Sequence, residues 1–167
     1  MNSQTQPIPA PLSPPLIGQL GAGPQFWGPG GDKYEFVLTG QQSGGTTFVL
    51  HATVPPGGGP PPHIHTRESE TYFIEQGELC FTLGDEHRTL RAGEFVHIPQ
   101  GTAHTFTNQG AALARMLVVF APAGMEGWFA EVLVPVEPTD THPVAYSPAQ
   151  LDFMIEAGPR HGVAWTF

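Results

Sequence analysis

The sequence holds one cysteine, six basic residues and few charges of either sign. Cys80 alone cannot form an internal disulfide or a thiolate metal cluster, and a fold built without disulfides suits a reducing compartment. Six Lys and Arg against fifteen Asp and Glu leave a formal net charge of −9. Such a field repels phosphate backbones and anionic lipid surfaces, which excludes nucleic acid as a partner. No stretch approaches the roughly 20 apolar residues of a membrane helix. The opening residues, Met1 to Pro7, have neither the basic start nor the apolar run of a signal peptide. These absences predict a cytoplasmic protein with no membrane partner. A phosphate-cradling loop, a dinucleotide fingerprint and a G-x-S-x-G elbow are also missing. No helix-turn-helix segment precedes the β-rich centre, which speaks against a transcription regulator.

What is present is apolar and rich in turn formers. The 167 residues are 40% hydrophobic and 13% charged, with 21 Gly and 19 Pro. A chain of this length buries roughly 68–70% of its unfolded surface, enough for a real core. Residues 1–32 carry seven prolines and read as an extended arm, with Leu16, Ile17, Leu20, Phe26 and Trp27 available to pack on a neighbouring surface. Residues 33–122 alternate short β-rich runs (34–38, 46–54, 70–75, 79–83, 87–91, 95–98, 105–108 and 113–120) with glycine-containing turns. No helical pattern of 10–15 residues separates them, so a parallel α/β sheet is excluded and an all-β sandwich or barrel is expected. Residues 123–167 form a C-terminal segment with helical signals. One is the apolar run 125–133. The other starts at Ser147-Pro148, continues through Leu151, Met154 and Ile155, and stops at Gly158-Pro159.

The chemistry concentrates between Gly57 and Asn108. His63 and His65 are two residues apart, so on a strand both imidazoles point to one face. Glu70 follows, with Tyr72 and Ile74 sharing its parity. His104 opens another predicted strand, which a closed sheet can bring alongside the first. Three imidazoles and one carboxylate suit a divalent transition metal, with Ni, Fe, Mn, Co, Cu and Zn all compatible. Each element alone is common; the conjunction, framed by Gly57, Gly77, Gly93, Pro99, Gly101 and Asn108, is not. Of the remaining histidines, His51 and His97 lie on strands and could line a cavity or a subunit surface. His87, His142 and His161 have no sequence partner that suggests ligation.

Gly57-x5-His63-x-His65-x4-Glu70-x6-Gly77 matches the first cupin motif at every fixed position, and Gly93-x5-Pro99-x-Gly101-x2-His104-x3-Asn108 matches the second. The hairpin 78–92 separates them, as in single-domain bacterial cupins. The resemblance implies a cupin double-stranded β-helix, or jelly-roll barrel, with an extended N-terminal arm and short C-terminal helices. It also implies a homodimer and one divalent metal ion held by His63, His65, Glu70 and His104. The run from Val54 to Glu70, Leu38-Thr39-Gly40 with Gly44-Gly45, and Arg160-His161-Gly162 are similar to quercetin 2,3-dioxygenases and their relatives. That narrower likeness implies a dioxygenase that cleaves a flavonol or another enolisable aromatic with O2, with Glu70 as catalytic base.

Tyr72, Ile74, Phe106, Met116 and Val118 are the expected substrate-binding residues; the alternative for each is core filling. Arg67 and Glu68 read as surface or subunit contacts. Another cupin enzyme, an isomerase or a decarboxylating one, and a non-catalytic small-molecule binder remain as alternatives, because one fold hosts many chemistries. A sugar-phosphate isomerase would want basic residues in its cavity, and Arg88, Arg91 and Arg115 are not obviously placed there.

Overall fold

Strict alternation builds the central strands. In the segment Phe48–Val54 every second residue, Phe48, Leu50, Ala52 and Val54, is buried. In Ala114–Ala121 the same holds for Ala114, Met116, Val118 and Phe120. A period of two with one apolar face demands that this face be covered. The computed structural model of the chain, which describes residues 14–140 and 142–166, shows how it is covered. The first thirteen residues of the expected N-terminal arm lie outside the described residues.

In chain order the strands are β1 (Gln25–Trp27), β2 (Lys33–Leu38), β3 (Phe48–Val54), β4 (His63–His65), β5 (Ser69–Gln76), β6 (Glu78–Leu83) and β7 (Glu86–Arg91). There follow β8 (Phe95–Ile98), β9 (His104–Thr107), β10 (Ala114–Ala121), β11 (Val134–Pro135) and β12 (Val163–Trp165). The helices are α1 (Gly40–Ser43), α2 (Glu126–Val132) and α3 (Pro148–Ala157). One antiparallel sheet runs β11-β1-β2-β3-β10-β5-β8 and a second runs β12-β4-β9-β6-β7. Their inner faces share one core, in which Phe48 stacks on Phe120 at 5.4 Å and Phe81 meets Phe106 at 5.5 Å. The expected all-β double-sheet architecture is therefore present, with α2 and α3 after residue 122 and the single turn of α1 before it. No helix among the described residues is long and apolar enough to cross a membrane.

Three features of the C-terminal segment position the site. Strand β12 pairs with β4, setting Val163 opposite His65 and Trp165 opposite His63, so the C-terminal segment covers the free edge of the His-x-His strand. Helix α2 buries Trp128, Phe129 and Val132, and the Phe129 ring lies 6.0 Å from Phe120 and 6.1 Å from Phe48. Helix α3 starts at a reciprocal cap between Ser147 and Gln150 with Pro148 in its first turn. It is tied down by Trp128 Nε1 donating to the Met154 carbonyl and Trp165 Nε1 donating to the Ile155 carbonyl.

The glycine-rich turn before β4 locks the two sheets together. Gly57 N–H donates to the Asn108 carbonyl and Asn108 N–H to the Gly58 carbonyl, while the buried Asn108 amide donates to the Val54 and Ala112 carbonyls. Gly59 has φ +141°, and a Cβ there would stand 2.0 Å from the Phe106 carbonyl oxygen. Gly59→Ala is therefore expected to destabilise the protein by roughly 3 kcal/mol, combining backbone strain with displacement of β9. Urea unfolding measures this, and a loss below about 0.5 kcal/mol would contradict the close approach.

Candidate metal centre

The cluster is assembled from both sheets. His63 and His65 project inward from β4, and His104 stands directly opposite His63 on β9. Glu70 comes from β5 of the other sheet, in register with Phe120 and Ile98. All four are almost completely buried. The imidazole centroids are 4.4 to 5.7 Å apart. Glu70 Oε2 lies 2.7 Å from His104 Nε2 and 3.3 Å from His65 Nε2, and one potential ligand atom from each of the four residues lies within 4.8 Å of all the others.

The donor atoms fit a cation better than they fit one another. Despite the short separation, neither Glu70 Oε2 nor His104 Nε2 makes a properly directed hydrogen bond. His63 Nδ1 lies 2.8 Å from the Pro61 carbonyl and His104 Nδ1 lies 2.9 Å from the Thr102 carbonyl. A carbonyl can only accept, so each Nδ1 carries the proton and each Nε2 presents a lone pair inward when the ring is neutral. First-row ions hold imidazole and carboxylate donors at about 2.0–2.2 Å, so donors already within 4.8 Å of one another need draw in by only a few tenths of an ångström to surround one ion. The cluster is thus compatible with a metal site, as the motif spacing leads one to expect.

Burial also prepares the ligands. It lowers the His63 pKa to about 4, with the neighbouring His104 adding to the effect, and it lowers that of His65 as well. For Glu70 burial pushes upward, but close contact with His104 and the charges of the surrounding imidazoles hold the carboxyl below its ordinary value. His104 moves oppositely: burial lowers it, and the adjoining Glu70 carboxylate more than compensates. Tyr72 donates its hydroxyl to Glu70 Oε1 at 3.0 Å, leaving Oε2 to face the imidazoles.

The cluster opens onto a cavity of about 360 Å³, within the range typical of small-molecule sites. Of the expected wall residues, Tyr72, Phe106, Met116 and Val118 line it. Ile74 does not: it is fully buried farther along β5, opposite Met116, and fills the core beyond the cavity. His51 and His97 face elsewhere. His51 pairs with Glu75 at 2.8 Å and His97 with the Thr71 hydroxyl at 2.8 Å. Further wall residues come from the C-terminal segment, notably Trp128, Met154 and Trp165. Glu68 is not a surface residue. It is buried in the loop just before β5, with Oε2 3.8 Å from His65 Nδ1.

Residues 50–120 match the family model described as a cupin domain. The chain carries a cupin domain. It is 31% identical over 134 residues to quercetin 2,3-dioxygenase from Aspergillus japonicus, covering 75% of this chain and 37% of that protein. An oxalate oxidase solved in complex with glycolate is 31% identical with a TM-score of 0.50, covering 57% of this cupin and 53% of that chain. A Thermotoga maritima protein described as a predicted oxalate decarboxylase superposes with a TM-score of 0.58 at 20% identity, covering 64% of this cupin and 99% of that chain. The last likeness concerns the fold alone. This cupin spans about a third of the length of the quercetin dioxygenase.

Asp32, in the turn between β1 and β2, is a second buried carboxyl beside the cavity, and its Oδ1 lacks a hydrogen-bond partner. Burial raises its pKa from 3.8 to about 6, against the pull of its own backbone amide. The folded pKa exceeds the unfolded one, so the unfolded state releases this proton first as pH rises. Stability is then lost between about pH 4 and pH 6, by about 3 kcal/mol in total. Asp32→Asn should therefore gain stability over the wild type between pH 4 and pH 7, read as the difference between their urea midpoints. An equal pH dependence for both proteins would contradict the buried, unpartnered carboxyl.

Proposed function

We propose that this cupin is a metal-dependent dioxygenase of the quercetinase kind, acting with O2 on a flavonol or a similar enolisable aromatic. His63, His65, Glu70 and His104 would hold one divalent ion. The observation that carries the reading is the cavity wall. Glu70 stands at the edge of a chamber whose other named neighbours are largely aromatic and aliphatic, and no Lys or Arg lines it among the described residues. An apolar ring system with one acidic hydroxyl suits such walls. A dianion such as oxalate, or a sugar phosphate, would find no cationic side chain there to balance the charge left over beyond the ion. The match to quercetin 2,3-dioxygenase extends over 75% of this chain, against 57% for the oxalate oxidase structure at the same identity, which favours this choice.

A bound divalent ion would supply Lewis acidity towards the substrate hydroxyl oxygen. Glu70 accepts that hydroxyl proton at Oε2, while the Tyr72 hydroxyl holds Oε1 and so fixes the carboxylate plane. Phe106, Met116, Val118 and Trp128 sandwich the rings and exclude water from the electron-rich anion. The anion reacts with O2, and its central ring opens with release of carbon monoxide.

The metal-loaded protein should bleach flavonol absorbance in air with matching O2 uptake. Glu70→Gln, compared at equal metal content, should turn over at least about 100-fold more slowly. Unchanged flavonol absorbance with the loaded wild type, or wild-type turnover in the variant, would refute the proposal.

A further inference from the structure

Each inward-facing imidazole needs its outer nitrogen tied down if the ring is to present the other one correctly. For His63 and His104 that tie is a backbone carbonyl, at Pro61 and Thr102. Neither carbonyl has a counterpart at His65. Its Nδ1 is buried without a hydrogen-bond partner, and the facing group is Glu68 Oε2, 3.8 Å away and equally unpartnered. Two complementary buried groups that each lack a partner, about an ångström beyond bonding distance, form an incomplete pair.

The surrounding structure aims Glu68 at this ring. Thr66 donates both its N–H and its hydroxyl to the Gly162 carbonyl, and Arg67 reaches outward to the Arg160 carbonyl. The loop between β4 and β5 is thereby pinned at the residues just before Glu68. Gly124 leaves room for the carboxylate, since a Cβ there would stand 3.3 Å from Glu68 Oε1.

We propose that Glu68 is a positioning residue for His65: its carboxylate accepts the Nδ1–H and thereby fixes the tautomer and ring plane that direct Nε2 at the cation. The inference rests on His63, His65, Glu70 and His104 being the metal ligands. It adds a specific consequence. A divalent ion in the water-poor interior would be balanced by two carboxylates, one ligating through Glu70 and one acting through His65. That makes this imidazole the most electron-rich of the three.

Zn2+ is a suitable probe because it is diamagnetic. Glu68→Ala should weaken Zn2+ affinity 10- to 100-fold in competition with a chromophoric chelator. Glu68→Gln, which keeps the shape and an acceptor oxygen, should lose less. In nitrogen-15 histidine spectra of the Zn2+-loaded wild type, one of the three ligand Nδ1–H resonances should lie downfield of the others, and that one alone should move upfield in Glu68→Gln. Affinity within twofold of wild type in both variants overturns the inference. So does weakened affinity with that resonance unmoved, which marks general loosening. A wild type that takes up no Zn2+ overturns the metal reading itself and this inference with it.

Discussion

The structure turns on one electrostatic constraint: a carboxylate from one sheet is buried among three imidazoles from the other. An isolated charge placed there would be costly, and a buried carboxylate facing neutral lone pairs would be repelled by them. Burial lowers the His104 pKa and the adjoining Glu70 carboxylate more than offsets it, so the two groups favour each other's charged forms. A cation would relieve it more completely, because it satisfies every inward nitrogen and Glu70 Oε2 at once. Through a cation the same four residues would cross-link the two sheets at their centre.

That constraint accounts for features that otherwise look peripheral. A three-residue strand is too short to hold two imidazoles rigidly by itself. Strand β4 is held on both sides, by β9 and by β12, and the loop after it is fixed to Gly162. The C-terminal segment thus belongs to the site as much as the motif does: β12 secures the histidines, while α2 and α3 bring Trp128 and Met154 to the cavity wall. Opposite β4, the Gly57–Asn108 crossover leaves space at Gly59 that any side chain would occupy.

Much of this was legible in the chain itself, for physical reasons. The alternation of β3, β5 and β10 announces strands with one buried face. The two-residue spacing of His63 and His65 requires a shared direction, which the structure shows. Glu70 and His104 could be added because they stand at fixed positions of the two cupin motifs, framed by Gly57, Gly77, Gly93, Pro99, Gly101 and Asn108. Pairings between distant segments were not legible: nothing local at Val163 or Trp165 reveals that they will lie beside His65 and His63. Glu68 was misjudged because charged residues next to a loop are usually solvated. It lies in the loop before β5, and nothing local shows that this loop turns its side chain inward. Ile74 carries the correct parity for an inward face, but parity does not say where along a strand the cavity ends and the solid core begins.

X-ray absorption on the protein loaded with a single first-row metal tests the four-ligand centre most directly. The expected result is one ion per chain bound by three imidazole nitrogens and one carboxylate oxygen at about 2.0–2.2 Å. A bound ion with fewer than three imidazoles in its coordination sphere, or a protein that retains no metal after desalting, would contradict it.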